Sequence, residues 1–353
     1  MRNNFHLSLL LCAALLVTGC GDTSNPIVAS PVITPTTINS TSVSLSWTKA
    51  TDSNDNAATL IYKVYLSGPN PAYQSFDTIA EVEAGTLTQT LTDASSATLS
   101  SGITAGSAYY VNIVVEDKDK NKSLYEPLGE YFHAGQVSYY PFNGNGNNAV
   151  TSTNPLIAIT VPAGFALPTV TSDRFSHTGS AYSYAPASLQ CWQSTSPVGI
   201  IGNVDRSVSI WVQSSNTPAG TRRAAFAWGN EIANGSSFGF FEEGLGNNWT
   251  VWLSGTANVS TLTPATSSWE HWVIGYSSAT NLVYTYKNGV AANIGTAPAV
   301  IANTANTLLY VGCGLNSVSV PINPYQGNID DVRVFNQLLT ATQVANLYAV
   351  TRP

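Results

Sequence analysis

The sequence predicts an all-β protein built as two consecutive β-sandwiches, the second closed by a short C-terminal helix. Three observations carry this. Tyr, Trp, Thr and Ser abound, charged residues are only 9% of the 353, and Met occurs once, so helix formers are scarce. Short apolar/polar alternations recur between Gly, Asn and Pro turn signals, as in Val43-Ser-Leu-Ser-Trp47. One helix signature closes the chain: Thr340 stands three residues before Gln343, the capping-box spacing, and Val344, Leu347 and Tyr348 form an apolar stripe.

The chain opens with a leader. Arg2 supplies a positive start and Leu7 to Val17 an apolar run too short for a bilayer, which needs roughly 20 residues. Residues 1–19 therefore read as a secretory signal. The run ends in Val17-Thr18-Gly19-Cys20, similar to the bacterial lipobox [LV]-x-[GA]-Cys. Small residues let the backbone enter the peptidase, and the thiol carries the diacylglycerol. The resemblance implies cleavage before Cys20 and lipidation of it, a durable anchor at about 0.8 kcal/mol per buried CH₂. Gly21 rather than Asp follows, which by the same resemblance points to the outer membrane. Beyond Cys20, removing Arg2 leaves 12 basic against 20 acidic residues, a formal −8. That balance argues against nucleic acid and against electrostatic docking on anionic lipid. Residues 20–30 then read as the lipidated Cys and a polar tether, reaching at most about 35 Å when extended.

Residues 31–134 read as the first sandwich. Val43, Leu45 and Trp47 share one strand face. Leu60 to Ser67 and Tyr109 to Glu116 form further strands, with Tyr109, Val111, Ile113 and Val115 on one side. Trp47, the Tyr62-Lys-Val-Tyr-Leu-Ser strand and the Gly102-Ile-Thr-Ala-Gly-Ser-Ala-Tyr109 corner resemble a fibronectin type III module. That resemblance implies an immunoglobulin-like spacer and makes Tyr109 the corner tyrosine, its hydroxyl tied to nearby backbone. Asp117-Lys-Asp-Lys-Asn121 lacks the Gly and Glu of a calcium loop and reads as a hairpin turn.

Residues 136–350 read as the second sandwich, with short strands and hairpin signals such as Lys287-Asn288-Gly289. Blocks at Val137–Asn148, Asp173–Tyr184, Ser207–Val212, Trp269–Gly289 and Leu308–Gly312, then Tyr325–Tyr348 with its Ile329-Asp-Asp-Val-Arg-Val-Phe core, are similar in order to the LamG-like (concanavalin A-like) jelly-roll family. The resemblance implies a two-sheet jelly roll. Many members bind calcium at the rim through acidic residues, but Asn148 and Ala185 stand at those places here. Asn148 and Asp331 remain as weak metal candidates, and no cofactor is expected. Asp330 and Asp331 are adjacent on a strand and so expected on opposite faces, one pairing with Arg333 or capping a turn.

With Cys12 in the leader and Cys20 acylated, Cys191 and Cys313 remain. A disulfide between them would close 122 residues, worth up to about 4–5 kcal/mol in the chain-entropy model; two separate thiols are the alternative. Seven of the eight Trp fall in the second domain. Trp211, Trp269 and Trp272 sit in the family blocks and read as core. Trp192, Trp228, Trp249 and Trp252 pack inside or, if exposed, stack on sugar rings, with Asn247 and Asn248 adding amide hydrogen bonds.

Catalytic signatures are sparse. Glycosidases of this fold need two carboxylates about 5–10 Å apart. No Glu-x-Asp-x-(x)-Glu run occurs, Glu242 and Glu243 are adjacent, Glu231 and Glu270 isolated, and the four His lack zinc spacing. The reading is a membrane-anchored extracytoplasmic binding or adhesion lipoprotein, recognising a glycan or an envelope or host surface protein without catalysis. The alternatives are a structural envelope protein with a protein partner only, marked by a flat apolar patch, and a glycoside hydrolase, marked by opposed carboxylates of which one has a raised pKa.

Overall fold

The computed structural model describes residues 23–71, 76–160, 165–185, 189–215, 221–230, 233–243, 248–255, 258–298, 300–315 and 321–353. Residues 1–19, read above as a leader, lie outside them, as do Cys20 and Asn247. Among the described residues no helix is long and apolar enough to cross a membrane.

The first sandwich holds β1 (Ile33–Ile38), β2 (Val43–Trp47), β3 (Ile61–Ser67), α1 (Ile79–Glu83), β4 (Thr86–Thr92), β5 (Ser96–Leu99), β6 (Ser107–Glu116), β7 (Lys122–Leu124) and β8 (Leu128–Phe132). One sheet runs β1-β2-β5 and the other β4-β3-β6-β7, with β8 also on β6. Val43, Leu45 and Trp47 face the core between them, and the Tyr109 hydroxyl accepts from Thr104 N at 3.0 Å. Asp117 and Asn121 close a turn on each other's backbone. Part of the stretch read as tether is docked: Ile27 pairs with Thr51, and Ser123 Oγ donates to Pro26 O at 2.5 Å.

Strand β6 is buried along its whole length, beyond what a surface domain needs. Tyr109, Val111, Ile113 and Val115 enter the sandwich core, while Ala108, Tyr110 and Val114 enter a separate cluster on the other face. That second face is where the two domains meet.

The second sandwich continues with β9 (Gln136–Tyr140), β10 (Leu156–Ala158), β11 (Thr169–Thr171), β12 (Ala181–Tyr184), β13 (Trp192–Pro197), β14 (Arg206–Ser214), β15 (Arg223–Gly229), β16 (Ser237–Glu243), β17 (Asn248–Trp252) and β18 (Val259–Pro264). It ends with β19 (Glu270–Ser277), β20 (Leu282–Lys287), β21 (Val290–Thr296), β22 (Leu308–Val311), β23 (Gly314–Leu315), β24 (Pro321–Ile322), β25 (Gly327–Phe335) and α2 (Ala341–Thr351). One sheet is ordered β10-β13-β22-β15-β16-β17-β18. The other is β11-β12-β25-β14-β19-β20-β21, with β9 also on β25. Aromatic side chains fill the space between them, Phe226, Trp228, Phe240, Trp249 and Trp272 among them. Asn288 and Gly289 both have positive φ, as a tight hairpin between right-twisted strands requires. Cys191 and Cys313 are bonded, Cα–Cα 5.5 Å, beside the neighbouring strands β13 and β22.

The C-terminal helix is a wedge between the domains. Its capping box forms: Gln343 N donates to Thr340 Oγ1 at 3.3 Å, and Thr340 N to Gln343 Oε1 at 2.9 Å. Val344, Leu347 and Val350 pack in one cluster with Tyr110 and Tyr131 of the first sandwich and Val273, Tyr286 and Phe335 of the second. The helix C-terminus leaves carbonyls without helical partners. Tyr110 of the first domain donates to Ala349 O at 3.0 Å, and Arg174 of the second to Thr351 O at 2.5 Å. Gly129 lets this happen, since a Cβ there would strike the Val350 carbonyl.

Candidate functional site

The tryptophans do not form a sugar platform. Trp228 and Trp249 are fully buried in the inter-sheet core and Trp252 is 6% exposed, while half-buried Trp192 packs on Phe142 and Tyr182. Alternation explains Trp252: Phe240 points inward, so Phe241 and Trp252 point out of the same sheet. That outer face is covered. The Arg222 guanidinium lies 3.7 Å over the Trp252 ring, and β23 crosses Phe241 so closely that a Cβ on Gly314 would sit 2.8 Å from its ring. Asn248 starts β17 and is half-buried. Asn148 is spent on structure: its Oδ1 accepts from Tyr139 N and Val150 N, both at 3.1 Å.

The open concavity lies elsewhere, at the domain junction. A cleft of about 400 Å³ is bounded by β1 and the 126–129 segment of the first sandwich, the 173–180 loop of the second, β25, and the tail after α2. Its floor is the Asp330-Asp331 pair, and here the structure overturns the expectation of opposite faces. Between Ser209 and Trp211 of β14 the register shifts, so Asp331 and Val332 together oppose Ile210; Asp331 takes φ +49°. This β-bulge turns both carboxylates to one side. Both then bind Arg174, at 2.6 Å from Asp330 and 2.5 Å from Asp331.

The expected partner Arg333 turns instead to the other domain. Its Nη1 donates to Glu130 Oε2 at 2.9 Å with both side chains buried, and its guanidinium lies 3.7 Å from the Tyr139 ring. Tyr139 in turn donates to Asp331 Oδ1 at 2.5 Å. Burial would push the Asp331 pKa up, but Arg174, Arg333 and the Tyr139 hydroxyl outweigh it and hold it below the usual range. Asp330 goes the other way: burial first, then the Asp331 charge, holds it well above. Arg174 is held above its ordinary value by the two carboxylates against the opposing effect of burial.

The rim carries a second cluster that sequence reading did not assemble. Asp173 Oδ1 accepts from Phe175 N at 2.8 Å and His177 N at 2.9 Å, a local side-chain turn that fixes the loop. His177 Nδ1 lies 3.1 Å from Asp173 Oδ2, and its Nε2 meets the Glu126 carboxylate of the first sandwich. The hydrogen bond to Asp173 is the main force raising the His177 pKa, and the charges of Asp173 and Glu126 add to it, against burial. The four-residue spacing of Asp173 and His177 was visible in the sequence; Glu126, in the other domain, was not. Phe175 between them is 41% exposed, its ring stacked on His177 at 5.7 Å and lying 4.6 Å from the Arg174 guanidinium. Asn143 and Ser180 add uncharged polar edges.

The two acidic floor residues of the cleft converge on one guanidinium instead of facing each other over a gap. Among the described residues no group of three metal-ligating side chains is arranged for an ion.

Residues 190–345 match the profile of the concanavalin A-like lectin/glucanases superfamily, and that segment is a jelly-roll domain whose sheet reaches back to Gln136. Among solved structures, domain 4 of AbnA, an extracellular arabinanase of family GH43 from Geobacillus stearothermophilus in complex with arabinotriose, is 19% identical, TM-score 0.43, over 60% of this chain and 98% of that one. The botulinum neurotoxin serotype D binding domain is 14% identical, TM-score 0.42, over 61% and 50%. A Trypanosoma rangeli sialidase mutant displaying trans-sialidase activity is 14% identical, TM-score 0.40, over 69% and 42%. No curated protein matches the chain.

Proposed function

We propose that this chain is a lipid-anchored, extracytoplasmic binding protein of a bacterial outer membrane, in which the interdomain cleft seats a hydroxyl-rich ligand, a short glycan segment, without catalysis. The observation that carries the reading is the exposed Phe175 ring standing beside Asp173, Asn143 and Ser180 at the mouth of a 400 Å³ cleft. A pyranose offers C–H groups to the exposed part of an aromatic ring and hydroxyls to polar edges, and this rim provides both. The leader and the Val17–Cys20 lipobox support the anchor, and the first sandwich, similar in its motifs to fibronectin type III modules, serves as a spacer.

One observation favours a second reading. Asp330 and Asp331 both line the cleft, with their pKa values pushed in opposite directions, the pattern of an acid/base pair. Against hydrolysis, both carboxyls are buried and bound to Arg174, leaving no room for a scissile bond between them.

A glycan array probed with residues 21–353, with calcium and with chelator, tests the proposal. Saturable binding to one sugar class, weakened about tenfold in Phe175→Ala, is expected. A blank array in both buffers sinks the glycan reading and points to a protein partner. Cleavage of a bound oligosaccharide, abolished in Asp330→Asn, would establish the hydrolase instead.

A further inference from the structure

We infer that His177 is a protonation-dependent latch across the mouth of the interdomain cleft, holding Glu126, on the connector between β7 and β8 of the first sandwich, against the second sandwich's 173–177 turn when charged and releasing it when neutral. The inference concerns regulation of the cleft proposed above as the ligand seat.

The geometry is asymmetric, and that makes it a switch. Asp173 is fixed: two backbone N–H groups of its own turn hold its carboxylate, and its side chain is 8% exposed. Glu126 sits on a connecting segment of the other domain, and its side chain is 45% exposed, free to swing into water. An imidazolium has two N–H donors and serves both. A neutral imidazole has one. With Nδ1–H kept by the fixed Asp173, Nε2 presents a lone pair to the Glu126 carboxylate. Two acceptors then face each other, and the solvated partner leaves.

The surrounding charges support titration in a useful range. Facing His177 are Asp173 from its own turn and Glu126 from the first sandwich, with the Phe175 ring stacked on it at 5.7 Å. Arg174, Asp330 and Asp331 line the same cleft; the Arg174 guanidinium binds the floor carboxylates and lies 4.6 Å from the Phe175 ring, on the way to His177, while Arg352 lines the tail side. The two carboxylates keep the imidazolium to higher pH than an ordinary histidine, whose pKa is about 6.5. The latch is therefore closed in acid and opens as pH rises through this elevated value. The other histidines of the described residues behave oppositely: burial lowers His133, and lowers His271 to about 3.

The test needs no ligand. The His177 ring is titrated by NMR in the full chain from pH 5 to 10, and the amide-exchange protection of Tyr125 and Glu126, whose N–H groups donate to Ile113 O and Pro31 O, is followed over the same range. The expected result is a His177 midpoint above 6.5, and protection at Tyr125 and Glu126 that falls severalfold through that midpoint. His177→Gln removes the pH step and leaves both amides at the low, open level throughout; Glu126→Gln lowers the His177 midpoint. A midpoint at or below 6.5, or protection that ignores the titration of His177, overturns the latch. A blank glycan array with a working latch would sink the binding reading alone; glycan binding with no pH step would sink the latch alone.

Discussion

The domain junction has two sides, and they are built on different physics. On one side α2 buries Val344, Leu347 and Val350 between apolar surfaces of both sandwiches. On the other, four charged pairs cross or floor the cleft: Glu130–Arg333, Arg174 with Asp330 and Asp331, and His177–Glu126. Apolar burial stabilises in proportion to area and tolerates many orientations. Buried ion pairs recover their desolvation only in one geometry, so they specify more than they stabilise. The two histidines mark the difference. His271 lies under the wedge, against Trp211 and stacked on Tyr348, and burial lowers its pKa to about 3; His177 lies at the charged rim, where the hydrogen bond to Asp173 and the nearby carboxylates raise its pKa. One junction thus contains a group that weakens it in acid and another that weakens it in base.

The largest effect is expected from splitting the buried pair. Arg333→Met leaves Glu130 buried without its cation and should cost about 3–5 kcal/mol in urea unfolding. Adding Glu130→Leu should restore most of this, because the pair as a whole contributes little. A single variant within 1 kcal/mol of wild type would show that the seam is wet and not structural. On the apolar side, Leu347→Ala should cost about 3 kcal/mol with no recovery from any charge change. If the two sides are as independent as drawn, Leu347→Ala and Phe175→Ala, which touch different sides, should add.

How much of this was legible in the sequence follows from what is local. The capping box, the Asn288-Gly289 hairpin and the Val43-Leu45-Trp47 face announce themselves, whereas Cys191 and Cys313 stood open between a disulfide and two separate thiols until the fold brought them within bonding distance. Alternation shows which residues share a strand face but not which face is covered, so Trp228, Trp249 and Trp252 stayed open between core and platform until packing placed them. The Asp330-Asp331 orientation was misread for a specific reason: the bulge is set by pairing with Ser209–Trp211, more than a hundred residues away, and no rule of period two anticipates it. Glu130–Arg333 and Glu126–His177 join different domains, and nothing in either sequence segment names its partner.

Acid sharpens the contrast between the histidines. Burial pushes the His271 imidazole down to about 3, while the unfolded chain titrates near 6.5. The unfolded state therefore binds the extra proton, and stability falls as pH drops from about 6.5 toward 3. At pH 4.5 that is about 2–3 kcal/mol. His133, also lowered, works in the same direction, and Asp330, raised, in the opposite one, so the check is a difference: His271→Gln should flatten the stability–pH profile in this window relative to wild type. An unchanged slope would mean that water reaches the ring beneath α2.

The smallest effect tests whether the wedge is held at its start as well as along its face. Thr340→Ala removes the acceptor for Gln343 N and should cost about 1 kcal/mol, the ordinary value of an N-cap. Gln343 does two jobs here, returning to Thr340 N and meeting His133 Nε2 of the domain connection at 3.1 Å. Thr340→Ala and Gln343→Ala should therefore differ in where they loosen the chain. The first should raise amide exchange only in the first turn of α2, the second there and at residues 133–136. Exchange confined to the first turn in both variants would mean that the cap serves the helix alone and takes no part in joining the two sandwiches.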